Sequence, residues 1–367
     1  MPGTTMGATP LEYRLKALIR LGGPLSIADY MAICLGDPEH GYYMARDPFG
    51  ANGDFVTAPE VSQMFGELVG LWAADIWVQA GRPSPFSLVE IGPGRGTLML
   101  DALRACRIVP GFMAAARVLM VETSPRLAAI QQDRLSRAGH NATWATSTTG
   151  IPDGPAIILA NEFFDALPVR QFVRVQGIWR ERVVGLDADD NLAFGIGPAV
   201  LPTTDVPAHL RSADNGSILE LAPTAAAIAE QLALRIARSG LALLAIDYGY
   251  TETAVGDSFQ AVRAHSPVDP LARPGEADLT ALVNFEVLHR AATKAGAGVS
   301  GPIEQGDFLL NLGLAERAGR LGADKDRATR EGIEADVHRL VAAEEMGSLF
   351  KAIAFSKPGL LPAGFGR

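Results

Sequence analysis

Three glycines at alternate positions directly follow an apolar segment that contains an acid near its end. The sequence SLVEIGPGRGTLML, residues 87–100, places Gly92, Gly94 and Gly96 just after Glu90. An apolar run, a glycine turn and a second apolar run predict a strand that passes through a tight turn into a helix, where α/β enzymes bind nucleotide-like ligands. We therefore predict a ligand site at this turn, with these four residues in contact with the ligand.

The details of the turn distinguish between ligands. The dinucleotide fingerprint G-x-G-x-x-G requires a glycine where this chain has Thr97, and a phosphate-binding loop ending in Gly-Lys-Ser/Thr requires a lysine that the turn does not contain. An acid beside the turn repels phosphate but attracts an ammonium or sulfonium group. The residues therefore favour S-adenosylmethionine as the cofactor over NAD or ATP.

A second acid, Glu122, ends the next apolar segment, RVLMVE. In a doubly wound sheet the second strand ends beside the first, so this carboxylate can reach the ribose hydroxyls of a bound nucleoside. Glu122 also precedes Thr123-Ser124-Pro125, which predicts a helix start, and an acid there stabilises the helix N-terminus. The two roles are compatible. Trp144, in the predicted third strand, is either a wall of the adenine pocket or a core residue.

The most distinctive chemistry lies in ANEFFDALPVRQF, which follows the apolar segment AIILA. Asn161 and Glu162 stand where this strand of a parallel sheet ends, and Asp165 follows one helical turn later. Two carboxylates can bind a guanidinium group, which always stays charged, and can leave one of its nitrogens more nucleophilic. We predict these three residues as catalytic; the alternative is helix capping with a salt bridge to Arg170 or Arg174.

The segment GDFVTAPE precedes these motifs. Phe55 and Thr57 are predicted to close over the cofactor or to line the substrate entrance, where a lid would exclude water. Thr57 and Glu60 also have the spacing of a capping box, so a purely structural role stays open. His265 lies in a loop-like stretch, where it either acts on substrate or braces the loop. No Cys/His cluster has metal-ligand spacing, so no metal site is predicted.

The arrangement of elements follows from the hydrophobic patterning. Short apolar runs alternate with helical patterns over residues 87–160 and again over 218–247, which predicts a parallel sheet with crossover helices. Period-two patterning over 168–198 predicts an inserted antiparallel hairpin set. The segment from Asp278 to Gly296 is predicted as one helix, and final strands are expected near Val299 to Glu304 and at FKAIAFSK. Residues 1–85 are predicted to be largely helical, with 86–357 as the core and 358–367 as a tail.

Composition narrows the function classes. The 367 residues are 48% hydrophobic and 20% charged, which suffices for a sizeable core. The formal charge of −9 argues against nucleic acid or an anionic membrane as a partner. Only two cysteines are present, which gives no disulfide framework and indicates a reducing compartment such as the cytoplasm. Neither a membrane-spanning apolar run nor a secretory signal is recognisable in the sequence.

Together these motifs resemble the MidA family. The resemblance runs from about Tyr13 to Lys357 and rests on five segments of this sequence: GYYMARDPFGANGDFVTAPEVSQMFGELVG, VEIGPGRGTL, ANEFFDALPVRQF, DYG and PGEADLTALVNFEVL. It implies an α/β, class I (Rossmann-like) methyltransferase fold with a seven-strand, mostly parallel sheet, a helical N-terminal region and an inserted antiparallel segment. Insertions are expected at about 168–215 and 306–345. Where the family often has Asp-Phe, this chain has Asn284-Phe285, so a charged role there is not expected.

The resemblance also implies a function. The family includes a mitochondrial complex I assembly factor with protein-arginine methyltransferase activity. It implies that Glu90 and the glycine turn bind S-adenosyl-L-methionine, that Glu122 binds the ribose, and that Glu162 and Asp165 form the acidic substrate loop. The implied partner is a protein with an exposed arginine segment, such as a complex I subunit or its bacterial counterpart, in the cytoplasm or, in a eukaryote, the mitochondrial matrix. One alternative is an assembly chaperone that binds S-adenosylmethionine without essential catalysis; another, disfavoured by Thr97, is an NAD-dependent oxidoreductase.

Overall fold

A computed structural model describes residues 8–45 and 57–366 of the chain. Its helices are α1 Pro10–Gly22, α2 Ile27–Gly36, α3 Tyr42–Ala45, α4 Ala58–Val61, α5 Gln63–Gln79, α6 Thr97–Cys106, α7 Phe112–Ala115, α8 Pro125–Arg137, α9 Pro223–Arg238, α10 Phe285–Lys294, α11 Gln305–Asn311, α12 Leu314–Gly322, α13 Arg327–Val341 and α14 Met346–Leu349. Its strands are β1 Leu25–Ser26, β2 Phe86–Ile91, β3 Ala116–Val121, β4 Ala142–Ala145, β5 Ala156–Asn161, β6 Arg170–Val175, β7 Ile178–Leu186, β8 Leu192–Val200, β9 Ile218–Leu221, β10 Ala242–Tyr250, β11 Gln260–Arg263, β12 Ser266–Val268, β13 Asp278–Thr280, β14 Val283–Asn284, β15 Gly298–Glu304 and β16 Phe350–Ser356.

The chain divides into two compact units. One comprises residues 8–45, 166–225 and 252–282, and the other comprises 57–165, 226–251 and 283–366. The N-terminal helices α1 to α3 therefore belong with the inserted antiparallel strands, although they lie far from those strands in sequence. The second unit contains both the glycine turn and the acids that follow β5.

The second unit is built on a mostly parallel sheet with the strand order β15-β16-β10-β5-β2-β3-β4. The pairs β10–β5, β5–β2, β2–β3 and β3–β4 are parallel, whereas β16 runs antiparallel to both of its neighbours. The short strand β14 pairs with the end of β10. This confirms the predicted class I methyltransferase fold, in which the carboxyl ends of β2, β3, β5 and β10 meet at one edge of the sheet.

One face of this sheet packs against α5 and α6. Leu88, Leu159 and Leu244 from the strands share a hydrophobic cluster with Phe65 and Trp72 of α5. The two helices approach closely because α5 has a glycine at the contact: a Cβ on Gly70 would lie 2.6 Å from the Cα atom of Ala102. The capping-box spacing at Thr57 predicts a helix that begins at residue 58, but Ser62 adopts an extended conformation that ends α4 and separates it from α5.

The first unit is mainly antiparallel, as predicted for the insertion. Its larger sheet has the order β1-β7-β6-β9, and β8 also pairs with β7. In a second, smaller sheet, β11 lies between β12 and β13. Apolar residues of α1 and α2, including Leu15 and Tyr30, pack with Val184 of β7 and Leu279 of β13.

The predicted helix over residues 278–296 was wrong in its first third. Asp278–Thr280 forms β13 and Val283–Asn284 forms β14, so the helix begins only at Phe285. The cause is local, since the Asn284 side chain accepts a hydrogen bond from the Val287 N–H at 3.3 Å and so caps the helix at that point. This capping role agrees with the expectation that Asn284 carries no charge-dependent function.

Two features are absent from the described residues. Within the part of the chain that the structure describes, no helix is long and apolar enough to cross a membrane. Over the same residues, no group of three or more His, Cys, Asp or Glu side chains is arranged to hold a metal ion.

Candidate cofactor and acceptor site

The three glycines form the turn between β2 and α6 as the sequence predicts. Gly92, Gly94 and Gly96 have φ angles of 65°, 50° and 76°, in the left-handed region that strongly favours glycine. The Gly92 N–H donates to the Val121 carbonyl oxygen at 3.1 Å, which ties the turn to the end of β3. The turn thus leaves its backbone accessible at the carboxyl edge of the sheet.

Glu90 lies beneath this turn and is only 3% exposed. Its carboxyl group accepts a hydrogen bond from the Met99 backbone N–H, and burial raises its pKa to about 8, with a further contribution from nearby Glu122. Its Oε2 atom is buried and has no hydrogen-bond partner among the described residues. A buried acceptor of this kind is costly unless a ligand supplies a donor.

Glu122 is held on both carboxylate oxygens. Oε1 accepts from the Ser124 N–H at 2.8 Å, and Oε2 accepts from Gln131 Nε2 at 3.1 Å. The same Nε2 donates to the Gly94 carbonyl oxygen at 2.7 Å, and the Gln131 Oε1 accepts from Trp144 Nε1 at 2.8 Å. Glu122, Gln131, Gly94 and Trp144 form what we call the Gln131 network, which joins α8 to the first three strands of the parallel sheet.

Of the two roles predicted for Glu122, the structure shows the contact with the start of α8 through the Ser124 N–H. Gln131 links Glu122 to the glycine turn, and its ribose role stays a prediction. Burial raises the pKa of Glu122 above its ordinary value, against its hydrogen bonds. Trp144 is half-buried and packs at the margin of the core, so it is neither a fully buried core residue nor a free surface residue.

The segment before α5 contacts the glycine turn in a way that the sequence did not reveal. The expected capping box is wrong: the Thr57 side chain makes no cap hydrogen bond. Glu60 instead accepts from the Thr97 hydroxyl at 2.6 Å, and that hydroxyl accepts from Arg134 Nη1 at 2.8 Å. The residue that replaces the third glycine of a dinucleotide fingerprint therefore links α4, α6 and α8. Phe55, predicted beside Thr57, lies outside the described residues.

Residues 161–165, which we call the acidic loop, follow β5. Glu162 has a φ of 50°, an uncommon and strained value for a residue with a side chain. Its Oε1 accepts from the Ala58 N–H at 3.3 Å and from Asn161 Nδ2 at 3.0 Å. Burial, together with the nearby charge of Asp165, raises the pKa of Glu162 to about 7. The Oδ1 atom of Asn161 is buried without a hydrogen-bond partner among the described residues.

Asp165 and a third acid, Asp247 on β10, complete this cluster. Asp247 is 1% exposed, and its Oδ2 accepts from the N–H groups of Phe163, Phe164 and Asp165 at 3.1, 2.9 and 3.3 Å. The Asp165 Oδ2 accepts from the Tyr248 hydroxyl at 2.6 Å. Burial and the neighbouring acids raise the pKa of Asp247 well above its usual value. Asp247 was not among the predicted site residues, although the acid near the end of LALLAIDYG was a visible signal.

The acidic loop packs directly on the glycine turn. A Cβ atom built on Gly92 would lie 3.2 Å from Cδ2 of Phe163, and Phe163 in turn packs edge-to-face on Phe164 with ring centroids 5.2 Å apart. The structure therefore brings together the two sets of residues that the sequence singled out separately. Of the arginines considered as alternative partners, Arg170 pairs with Glu181 and Arg174 donates to the Arg211 carbonyl oxygen.

His265 falls elsewhere. It lies exposed in the turn between β11 and β12, where it and Ala264 both have positive φ angles. This position agrees with a turn residue of the first unit, and it gives no support to a role on substrate.

The residues at the turn fit a sulfonium nucleoside. The register pairs Glu90 with Leu159, and Asn161 lies two residues beyond Leu159, so Glu90 and Asn161 lie on one face of the sheet near its carboxyl edge. Each has a buried acceptor atom without a partner among the described residues. Such atoms suit the ammonium group of an amino-acid moiety, and acids around the turn disfavour phosphate. The fold and the turn together define a class I methyltransferase that uses S-adenosyl-L-methionine.

Comparison with known proteins leads to the family. A family model described as an S-adenosyl-L-methionine-dependent methyltransferase matches residues 68–303. The chain is 36% identical to a mitochondrial protein arginine methyltransferase NDUFAF7 homolog of Drosophila melanogaster, across 97% of this chain and 87% of the fly protein. It is 35% identical to the mitochondrial protein arginine methyltransferase NDUFAF7 of Homo sapiens, across 94% of this chain and 83% of the human protein.

A solved structure extends this result to three dimensions. A crystal structure from Burkholderia thailandensis, described as a methyl transferase bound to S-adenosyl-homocysteine, superposes with a TM-score of 0.84 at 27% identity and covers 99% of this chain and 96% of that chain. The chain belongs to the MidA-like family of S-adenosyl-L-methionine-dependent methyltransferases, which confirms the resemblance. It is an enzyme with that cofactor, and the NAD-dependent alternative is excluded.

Proposed function

We propose that this methyltransferase transfers a methyl group to an arginine side chain of a protein substrate, with the acidic loop as the acceptor site. The observation that supports this most is Glu162, which combines a strained backbone with a pKa raised to about 7 in a loop packed on the glycine turn. Strained residues with shifted pKa values concentrate at functional sites. The curated relatives named above are protein arginine methyltransferases.

The buried acids of this loop favour a cationic acceptor. Burial raises the pKa values of Glu162 and Asp247, and neighbouring acids act in the same direction: Asp165 on Glu162, and Asp165 and Glu162 on Asp247. A guanidinium group would reverse that effect by compensating the charge, and its planar set of donors matches paired carboxylates. The Oε1 atom of Glu162 is already held by two N–H donors, so we assign Oε2 to the acceptor.

The chain's own residues would position the acceptor and remove a proton. When bound, S-adenosylmethionine supplies an electrophilic methyl group on sulfur. Glu162 and Asp165 would orient one guanidinium nitrogen toward that methyl group, as a nitrogen–carbon bond forms while the electron pair of the sulfur–carbon bond stays on sulfur. The nitrogen then loses a proton, and Glu162, with a pKa near 7, is suited to accept it. Asn161 would keep the Glu162 carboxylate in place through its 3.0 Å hydrogen bond.

For the cofactor we propose Glu90, Gly92, Gly94, Gly96 and Glu122, in the roles that the motifs predict. Thr57 and Phe55 stay proposed as lid residues. Thr57 directly precedes α4, whose residues bond both Thr97 and Glu162, and Phe55 lies outside the described residues.

The partner and compartment are part of the same proposal. We infer that the substrate is a complex I subunit or its bacterial counterpart, because the family resemblance points there. The curated relatives are designated mitochondrial, which supports the matrix in a eukaryotic host and the cytoplasm in a bacterium.

The test is transfer of a labelled methyl group in a protein extract from cells that lack this enzyme. Incubation with S-adenosylmethionine carrying a deuterated methyl group should place the label on arginine, as located by peptide mass spectrometry. Glu162→Gln should lower turnover by about 10²–10⁴-fold, the usual contribution of a positioned acid or base. Its affinity for S-adenosylhomocysteine, measured by calorimetry, should stay within about 3-fold of the wild type.

The control is Glu331→Gln, which removes an exposed ion pair with Arg327 on α13 and should leave turnover unchanged. Label on lysine or a small molecule would contradict the arginine proposal. Full turnover by the Glu162→Gln variant would show that the acceptor site lies elsewhere. Partner capture without any transfer, in the wild type as in the variant, would instead support the assembly chaperone.

A further inference from the structure

Gln131 occupies an unexpected place for an amide side chain. It lies on α8 midway between Leu127 and Leu135. Gln131 is 0% exposed, Leu127 is 2% exposed and Leu135 is 1% exposed. Residues spaced by four lie on one stripe of a helix, and here that stripe faces the protein interior. A buried amide on such a stripe is unfavourable unless its donors and its acceptor are satisfied.

All the polar atoms of Gln131 are bonded, and each bond leads to the cofactor side of the sheet. Nε2 donates to the Gly94 carbonyl oxygen at 2.7 Å and to Glu122 Oε2 at 3.1 Å, and Oε1 accepts from Trp144 Nε1 at 2.8 Å. An indole N–H can only donate, so Trp144 fixes which end of the amide faces it. The amide nitrogen is therefore directed at Glu122 and the glycine turn.

We propose that Gln131 is a positioning residue for the nucleoside of the cofactor. It sets the Glu122 carboxylate at a fixed orientation to the glycine turn, so that the lone pairs that remain on this carboxylate meet the ribose hydroxyls. This proposal rests on the ribose role proposed for Glu122, and it is independent of the methyl acceptor.

Removal of the Gln131 amide should weaken only the contacts with the ribose hydroxyls. Without the amide, Glu122 keeps its backbone donors at Ser124 and Thr123 but loses the Gln131 donor on Oε2, so this oxygen is no longer directed by the glycine turn. The adenine and the amino-acid moiety would keep their own contacts. A residue that served packing alone would instead weaken every part of the ligand equally.

The experiment measures affinity by calorimetry for S-adenosylhomocysteine and for its 2′,3′-dideoxy analogue, using the full chain. In the wild type, loss of the hydroxyls should weaken binding by about 10–100-fold, the range for hydrogen bonds to a charged group. In Gln131→Met, which has similar volume and no amide, this ratio should fall to about 3-fold or less. Leu135→Ala loosens the same helix one turn further on and should leave the ratio at its wild-type value.

The outcomes separate the two assumptions. If the wild type binds S-adenosylhomocysteine and its dideoxy analogue equally well, or if Glu122→Gln keeps the wild-type ratio of the two affinities, Glu122 does not bind the ribose. The proposal then fails as well. If Gln131→Met keeps the wild-type affinity ratio while the ratio in Glu122→Gln falls to about one, only the role of Gln131 is overturned.

A second variant covers the case in which Gln131→Met does not fold. Gln131→Glu keeps an oxygen for Trp144 but can donate to Glu122 only when it is protonated. Its hydroxyl-dependent ratio should therefore increase as the pH is lowered from 8 to 6. A ratio that does not change with pH in this variant would contradict the proposal.

Discussion

The Gln131 network and the acidic loop lie at the same edge of one sheet, yet they differ in how their polar groups are satisfied. In the Gln131 network, each atom of the Gln131 amide has a partner at 2.7 to 3.1 Å. In the acidic loop, Glu162 is strained and Asn161 Oδ1 is buried without a partner among the described residues. Burial and neighbouring acids raise the pKa values of Glu162 and of Asp247 behind the loop.

The difference indicates different tasks. A satisfied network is rigid and suited to a ligand that always has the same shape, such as a nucleoside. A strained and electrostatically unfavourable loop is stabilised when a cation arrives, so it favours a charged acceptor. Glu90 is the exception on the cofactor side, since its buried Oε2 also lacks a partner within the described ranges.

The glycine turn connects the two regions, and its contact with the acidic loop can be broken at Gly92. We expect Gly92→Ala to lower the free energy of unfolding by about 2–4 kcal/mol, because alanine disfavours a φ of 65° and its Cβ would lie 3.2 Å from Phe163. Affinity for S-adenosylhomocysteine should fall by at least about 10-fold, since the turn must shift. Urea unfolding and calorimetry measure the two effects.

Gly139→Ala is the matched control for this change. Gly139 has a φ of 78°, but a Cβ built there meets nothing within 4 Å. It should lose only the backbone contribution of about 1–2 kcal/mol and leave ligand affinity unchanged. Equal losses at the two glycines would mean that packing between the turn and the acidic loop contributes nothing.

Much of the cofactor side could be predicted from the sequence because its signals are local. The glycine turn, Glu90 and Glu122 each follow an apolar strand segment, and a positive φ at alternating glycines is a property of the turn itself. Gln131 was missed for a related reason, since its only signal is a polar residue spaced by four from two leucines. The partners that explain it come from three other segments of the chain.

The acidic loop was predicted in its residues but not in its electrostatics. The sequence shows that Glu162 and Asp165 are three residues apart, but it cannot show that Asp247 lies behind them, because β10 and β5 become neighbours only in the folded sheet. The capping box at Thr57 failed for the same reason: Glu60 has a tertiary partner in Thr97. Local sequence patterns predict which neighbours along the chain a side chain bonds. At this site, tertiary contacts determine the partners of these acids instead.

The unfavourable electrostatics of the acidic loop predict that Glu162→Gln stabilises the protein without ligand. The pKa of Glu162 is raised from 4.5 to about 7, so its folded form favours the protonated carboxyl. The stability it contributes is complete below pH 4.5 and is lost as the pH rises to about 7. At pH 8, the variant should be more stable by about 1–2 kcal/mol, a value reduced from the full shift because the side chain is half-buried.

Urea unfolding at pH 8 and at pH 4.5 measures this difference, which should disappear at the lower pH. The same variant is expected to lose turnover, so gained stability and lost activity should occur together. A variant that is less stable at pH 8 would contradict the view that the loop is electrostatically unfavourable before an acceptor binds.

The smallest expected effect concerns the one indole in the Gln131 network. Trp144→Phe removes the N–H that fixes the Gln131 amide at 2.8 Å. Affinity for S-adenosylhomocysteine should fall by about 3–10-fold, in line with one hydrogen bond of about 1 kcal/mol.

Trp77→Phe is the matched control, because Trp77 Nε1 donates to the Pro83 carbonyl oxygen at 2.9 Å, outside the network. It should lower stability and leave ligand affinity at the wild-type value. An equal loss of affinity in the two variants would mean that the network acts through general packing, and the contrast with the acidic loop would then disappear.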